Sequence, residues 1–218
     1  FLFIKDGPRD MRMSVSGPSA ADLVNNLPQS EIANILYFFG EERSSRRIAN
    51  AIVRRRTEKP FTSTLELSNL IENCLPRKKP GTSHPATRSF QALRIATNDE
   101  FTELYEALFA AEKALRCGGI LAIVTFHSLE DRIVKRFLQL RSGSAGNSNR
   151  YAPEINNEEK HFEIVNRKAI IASDPELLQN PRSRSAKLRI AKRLSCEPGR
   201  NLLPSQLGVP LLEGKNNA

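Results

Sequence analysis

The stretch Gly118–Phe137, GGILAIVTFHSLEDRIVKRF, restricts the possible folds more than any other part of the chain. Ile120 to Val124 is an unbroken apolar run of strand length, rich in β-branched residues and entered through Gly118-Gly119. That is the pattern of a strand covered on both faces of a parallel sheet. Ser128, with Asp131 three residues on, reads as a capping box in which Asp replaces the usual Glu or Gln. Leu129, Ile133, Val134, Phe137 and Leu138 then recur at helical spacing, with Arg132, Lys135 and Arg136 on the opposite face. Phe126 and His127 therefore fall at the carboxyl end of a strand, where open α/β sheets place their ligand crevice. Taken alone, the unit is a core strand and a capped surface helix, and a lone His127 is more often structural than catalytic.

Two hundred and eighteen residues suffice for a core plus a modest extra module, and no apolar run approaches membrane-spanning length. Thirty-three Lys and Arg against 24 acidic residues give a net charge of +9 and favour a polyanionic partner. Cys74, Cys117 and Cys196 are odd in number and lack CxxC spacing, which supports neither a disulfide framework nor a zinc site. A reducing cytoplasm is the default location. The chain opens FLFIKDGP without an initiator Met or a signal-peptide pattern, and its apolar start reads as the continuation of a longer protein.

Asp6-Gly7-Pro8 is a turn sequence, followed by Asp10, Met11, Arg12 and Met13. From Ser19 to about Pro85 the pattern is of short helices joined by turns. Ser19 caps Ala20–Leu27, Gln29–Phe39 follows and is ended by Gly40, and Glu42–Arg56 carries Ile48, Ala49, Ile52 and Val53 inward. Thr64–Cys74 is a further helix. Arg43, Arg46, Arg47, Arg54, Arg55 and Arg56 lie largely on the outer face, which has few interspersed acids, so a phosphate-binding surface is at least as good a reading as a solvated one. Arg77-Lys78-Lys79-Pro80-Gly81 connects to helices over Ala86–Asn98 and from Phe101 to Leu115. After Phe137 a flexible segment leads to short strands at His161–Val165 and Ala169–Ala172 around the Asn166-Arg167 turn, then to a last strand over Lys187–Leu194. Ser195–Ala218 lacks any period and is expected to be a disordered tail.

Four strings in order, DGPRDMRMS (6–14), ATRSFQALRIATNDE (86–100), FHSLEDRIVKRF (126–137) and NPRSRSAKLR (180–189), resemble the bacterial 16S ribosomal RNA cytosine-N4 methyltransferases of the MraW type. The resemblance implies an α/β fold, the C-terminal half of a class I (Rossmann-like) S-adenosylmethionine-dependent methyltransferase domain with an all-helical insertion. Residues 1–17 and 86–194 would belong to the methyltransferase domain, 18–85 to an RNA-binding insertion and 195–218 to the tail. It places His127, Ser128, Asp131, Phe126, Asp6 and Asp10 at the catalytic centre and Asp6, Gly7, Pro8, Met11 and Arg12 at the cofactor. It also makes Arg88, Gln91, Arg94 and Asn98 candidates for the pocket wall. Arg43, Arg46, Arg47, Arg54, Arg55, Arg88, Arg132, Lys135, Arg182, Arg184 and Lys187 are the expected RNA contacts, and no metal is implied. The partner would be 16S rRNA or the small ribosomal subunit in the cytoplasm, with no membrane association and with the oligomeric state, a dimer included, left open.

In that family the glycine turn and the carboxylate for the cofactor's ribose precede the DGPxDMRM string. No G-x-G-x-x-G follows a strand here, so these 218 residues alone are expected to bind S-adenosylmethionine poorly or not at all and to be inactive without the parent protein. Two other classes remain at this stage. A non-catalytic RNA-binding module would explain the charge. A metal-dependent hydrolase built on His127, Glu130, Asp131, Asp6 and Asp10 lacks any HxH or HExxH spacing.

Overall fold

A computed structural model of the chain describes residues 10–14, 16–76, 84–144, 160–194 and 197–210. Asp6, Gly7 and Pro8 lie outside them, as does most of the segment expected to be flexible after Phe137. The chain divides into two compact units, residues 1–100 with 212–218, and 101–211.

In the first unit the described elements are helices: α1 (Ala20–Asn26), α2 (Gln29–Gly40), α3 (Ser45–Glu58), α4 (Thr64–Asn73) and α5 (Thr87–Asn98). Ser19 begins α1 as expected. Its hydroxyl accepts from the Asp22 N–H and the Asp22 carboxylate accepts the Ser19 N–H in return, satisfying two helix-end donors at once. Val24, Ile32, Leu36, Ile48, Ile52, Leu67, Ile71, Leu93 and Ile95 are almost wholly removed from solvent and form the core. Gly40 does not end α2 by turning left-handed. Glu41 does, at φ 50°. Gly40 is required for another reason, since a Cβ there would meet the Arg88 carbonyl oxygen at 2.6 Å and the Ala92 Cβ at 3.1 Å. It lets α2 approach α5 closely.

The second unit holds α6 (Glu100–Ala114), which starts at the boundary, β1 (Ile120–Thr125), α7 (Ser128–Arg141), β2 (Phe162–Ile164), β3 (Ile170–Ile171), α8 (Asp174–Gln179), a 3-10 turn at Pro181–Ser185, β4 (Lys187–Arg193) and α9 (Pro204–Leu207). β4 is the middle of the sheet. β1 runs antiparallel along one edge of it, Ile120 opposite Lys192 and Thr125 opposite Lys187. β2 and β3 follow each other along the other edge, pairing with Ala191–Arg193 and Lys187–Leu188. They are one interrupted strand and do not form a hairpin with each other. In the gap, the Asn166 side chain accepts the Ile190 N–H at 2.8 Å, replacing a missing backbone partner.

The expectation that β1 is covered on both faces of a parallel sheet is not met among the described residues. Its partner there is antiparallel, and Ile120 and Val124 are about half exposed while Leu121 and Thr125 are buried. An apolar run without polar alternation cannot by itself tell one covered face from two. Tyr105, Phe109, Phe137 and Phe162 form a chain of ring contacts through the core, with centroid spacings of 4.9, 5.5 and 6.1 Å.

The disordered tail is also corrected over residues 197–210. Leu202, Leu207 and Val209 are buried, and the backbone of this segment is gripped by charged groups. Arg193 donates to the Glu197 carbonyl at 2.8 Å, Arg141 to the Arg200 carbonyl at 2.7 Å, and the Gly199 N–H to Glu112 at 3.2 Å. His161, at the start of the expected strand His161–Val165, is buried beside them. Cys117 is disulfide-bonded, contrary to the reading of the cysteines as unpaired, and Cys74 is free and buried. Among the described residues no helix is long and apolar enough to cross a membrane.

Candidate active site and its supports

The corner between β1 and α7 is built differently from the capping box expected of Ser128 and Asp131. His127 is the N-cap, with extended backbone, and Ser128 is the first residue of the helix. The His127 Nδ1 accepts the Glu130 N–H at 3.3 Å, while the Glu130 carboxylate accepts the N–H of Phe126 at 2.8 Å and of His127 at 3.3 Å. Because Nδ1 is the acceptor, the neutral ring carries its proton on Nε2. That atom lies 3.3 Å from Glu130 Oε1, without the alignment of a hydrogen bond. Phe101 packs edge-on to the imidazole at 5.8 Å. Burial acts to raise the Glu130 carboxyl, but the adjacent His127 imidazole and the N–H groups of Phe126 and His127 outweigh it and hold it below its ordinary value. The corner is thus fixed by an ionised carboxylate, and it leaves Phe126 58% exposed.

Asp131 points elsewhere. Arg189 of β4 forms a bidentate pair with it, and Lys187 adds a third contact at 3.3 Å. With both oxygens engaged by cations, Asp131 ties the first turn of α7 to the sheet. Lys187, expected to meet RNA, is partly committed to this pair. Glu130 entered the sequence reading only in the hydrolase alternative, and its capping role was not seen. Its spacing of three from His127 was the available signal, hidden because His is not among the preferred N-cap residues.

In the first unit, Asp10 and Arg12 pair with each other, Arg12 Nη2 reaching Asp10 Oδ2 at 2.8 Å, and the guanidinium holds the Asp10 carboxyl below its ordinary value. Met11 is buried and Met13 is 69% exposed. Asn98, expected at a pocket wall, holds the Met11 carbonyl and the Met13 N–H. Arg94 is bound by Glu100 through two hydrogen bonds of 2.7 and 2.8 Å. Gln91 is half-buried on α5.

Of the expected RNA contacts in this unit, Arg43, Arg46, Arg47, Arg54 and Arg88 are exposed. Arg55 is half-buried, donating to the Lys59 carbonyl at 2.9 Å and lying over the Phe61 ring. Arg56 serves the fold: its two Nη atoms donate to the Val24 and Leu27 carbonyls at 2.8 and 2.7 Å, closing the C-terminal end of α1. In the second unit Arg132, Lys135, Arg182 and Arg184 are exposed. A groove of about 780 Å³ runs beside Lys135, Gln139, Lys160, Arg167 and Arg189.

The sequence profile of the MraW methylase family matches residues 1–194. The chain belongs to that family. MraW methylases are class I methyltransferases in fold, and the mixed helices and antiparallel sheet described above agree with the α/β class. Curated relatives named "Ribosomal RNA small subunit methyltransferase H" are 57% identical over 216 residues in Roseobacter denitrificans, 57% over 213 in Ruegeria sp. and 59% over 215 in Cereibacter sphaeroides. The alignments cover 99%, 98% and 99% of this chain and 65%, 64% and 65% of those proteins. The chain spans just under two thirds of their length.

Proposed function

We propose that the protein to which this chain belongs transfers a methyl group from S-adenosylmethionine to N4 of a cytosine in the decoding region of 16S ribosomal RNA. The observation that carries the reading is the family match across residues 1–194 together with relatives named as ribosomal RNA small subunit methyltransferases. The side chains suit the task. Met13 offers an uncovered apolar side chain that fits the flat base of a nucleoside, while the Asp10 carboxylate is engaged by Arg12. When bound, S-adenosylmethionine supplies an electrophilic methyl carbon.

The target amine is a weak nucleophile because its lone pair is delocalised into the ring, so positioning is the main contribution required of the protein. A cytosine unstacked from the RNA would be held by stacking on the exposed Phe126 ring, whose backbone Glu130 fixes. His127 has its Nδ1 occupied by the Glu130 N–H and its Nε2 buried, so it serves best as the cap of α7. The exposed arginines of α3 and of the turn before it, Arg43, Arg46, Arg47 and Arg54, would supply phosphate contacts that give affinity without base identity.

Mass spectrometry of 16S RNA from cells lacking the gene is expected to show one N4-methylcytidine missing. An unchanged modification profile overturns the proposal. A non-catalytic RNA-binding module would instead bind RNA while the full-length protein transferred no methyl group. The 218 residues alone, titrated calorimetrically with S-adenosylmethionine, are expected to give little or no heat.

A further inference from the structure

Three described non-glycine residues have positive φ: Met11 at 54°, Glu41 at 50° and Asp99 at 50°. Glu41 and Asp99 are the left-handed caps that end α2 and α5, a common place for such backbone. Met11 ends no helix. A residue with a Cβ holds this conformation at a steric cost, and keeps it where its surroundings over-determine it.

The surroundings do so here. Asn98, 85 residues away from Met13 in sequence, uses its whole amide on this corner: Nδ2 donates to the Met11 carbonyl at 2.8 Å and Oδ1 accepts the Met13 N–H at 2.7 Å. The same Nδ2 donates to the Arg94 carbonyl at 2.9 Å, which fixes the amide to α5. The Ala20 N–H holds the Asp10 carbonyl at 3.0 Å, and Arg12 bridges Asp10 to the Gly17 carbonyl at 3.1 Å. The result is a kink in which Met11 turns inward, 6% exposed, and Met13 outward, 69% exposed. Turning an unbranched apolar side chain toward solvent adds nothing to the core, whereas a thioether chain is a good contact for a flat aromatic ring.

We infer that Asn98 is a positioning residue for the stretch Asp10–Ser14, fixing the Met11 kink so that Met13 is presented to a heteroaromatic ring of a bound ligand. The inference rests on the proposed methyl-transfer function, in which that ring is the adenine of the cofactor or the target base.

The test uses the full-length protein with Asn98→Ala, Asn98→Asp, Met13→Ala and the double variant Asn98→Ala/Met13→Ala. Asn98→Ala is expected to lower kcat/KM about tenfold or more through KM and to speed hydrogen exchange at the Met13 amide. Asn98→Asp, which keeps the acceptor for that amide, is expected to fall between it and wild type, and provides the comparison should Asn98→Ala fold poorly. Met13→Ala, at an exposed side chain, is expected to keep the melting temperature and raise the same KM. The double variant should be no worse than the poorer single one, because both act through one contact. A rise confined to the KM for S-adenosylmethionine assigns the ring to adenine, and one confined to the KM for RNA assigns it to the base. Additive losses, wild-type kcat/KM in Asn98→Ala or unchanged exchange at Met13 overturn this inference alone. A wild type that transfers no methyl group overturns the functional proposal and this inference with it.

Discussion

Arg189 holds Asp131 with both arms of its guanidinium, Nε to Oδ1 at 2.7 Å and Nη2 to Oδ2 at 3.1 Å, across the joint between β4 and α7. Burial acts to raise the Asp131 carboxyl, but Arg189 first and Lys187 second outweigh it and hold it below its ordinary value. A carboxyl depressed in the folded state stabilises fully above the unfolded pKa, about 3.9, and loses that contribution as pH falls through the folded value. Asp131→Asn is therefore expected to lower the unfolding free energy by about 3 kcal/mol at pH 7. The gap from wild type should close as pH drops below about 4. Urea titrations at pH 7 and pH 3 check it, and an equal gap at both rules out the ion pair as the cause.

Glu130 acts on geometry more than on stability. Glu130→Ala removes the acceptor for the Phe126 and His127 N–H groups. It is expected to cost about 1 kcal/mol of stability yet to reduce methyl transfer by the full-length protein about tenfold or more. Thermal melts and initial rates measured side by side decide it. Activity falling only as far as the folded fraction falls would reduce Glu130 to a cap.

At Gly40 the usual gain of a helical Gly→Ala change should reverse. The added methyl meets the Arg88 carbonyl oxygen, which is backbone and cannot step aside. A loss of about 2 kcal/mol is expected, read from the denaturation midpoint, and a stabilised Gly40→Ala would show that α2 and α5 are not packed so closely.

The arginines of the helical unit separate into two kinds. Replacing Arg43, Arg46, Arg47 and Arg54 by Gln should weaken RNA binding and lower the salt slope of log K by about 3, at roughly 0.7 for each single-stranded phosphate contact. Arg56→Met should leave that slope alone and instead destabilise the unit by about 2 kcal/mol, because it strands the Val24 and Leu27 carbonyls. A slope unchanged by the quadruple variant would remove this face from RNA binding.

A chain ending at Leu194 should lose the cooperative unfolding of the 218-residue chain. The truncation uncovers the pocket filled by Leu202, Leu207 and Val209 and takes the Arg200 carbonyl from Arg141 and the Glu197 carbonyl from Arg193. Circular dichroism melts of the two chains are sufficient, and equal melts would return this segment to a dispensable tail.

Local chemistry was legible in the sequence to within a few residues. The apolar spacing of Ile32, Ile35, Leu36 and Phe39, of Ile48 and Ile52, and of Ile133, Val134 and Phe137 marks helices that the structure contains, and Ser19 marks a true N-cap. The short strands at Phe162–Ile164 and Lys187–Arg193 were likewise visible, the first from its apolar residues and the second from its alternation. The strings that carry the family resemblance needed no coordinates either, because side-chain order alone identifies them.

Partner choice was decided by the tertiary structure. Asp131 reads as half of a capping box from its spacing, yet Arg189, 58 residues on, takes it. The helix start passes to His127 and Glu130, because a carboxylate goes to whichever donors the fold brings within reach. Asn98 reads as one polar face of α5, and only the return of the amino-terminal loop shows that it holds Met11 and Met13. The last segment has no period, since its order comes from pockets and charged side chains belonging to α6, α7 and β4. Periodicity is a property of neighbours along the chain and survives in the sequence. Hydrogen bonds and ion pairs between distant residues depend on distance in space, which folding sets.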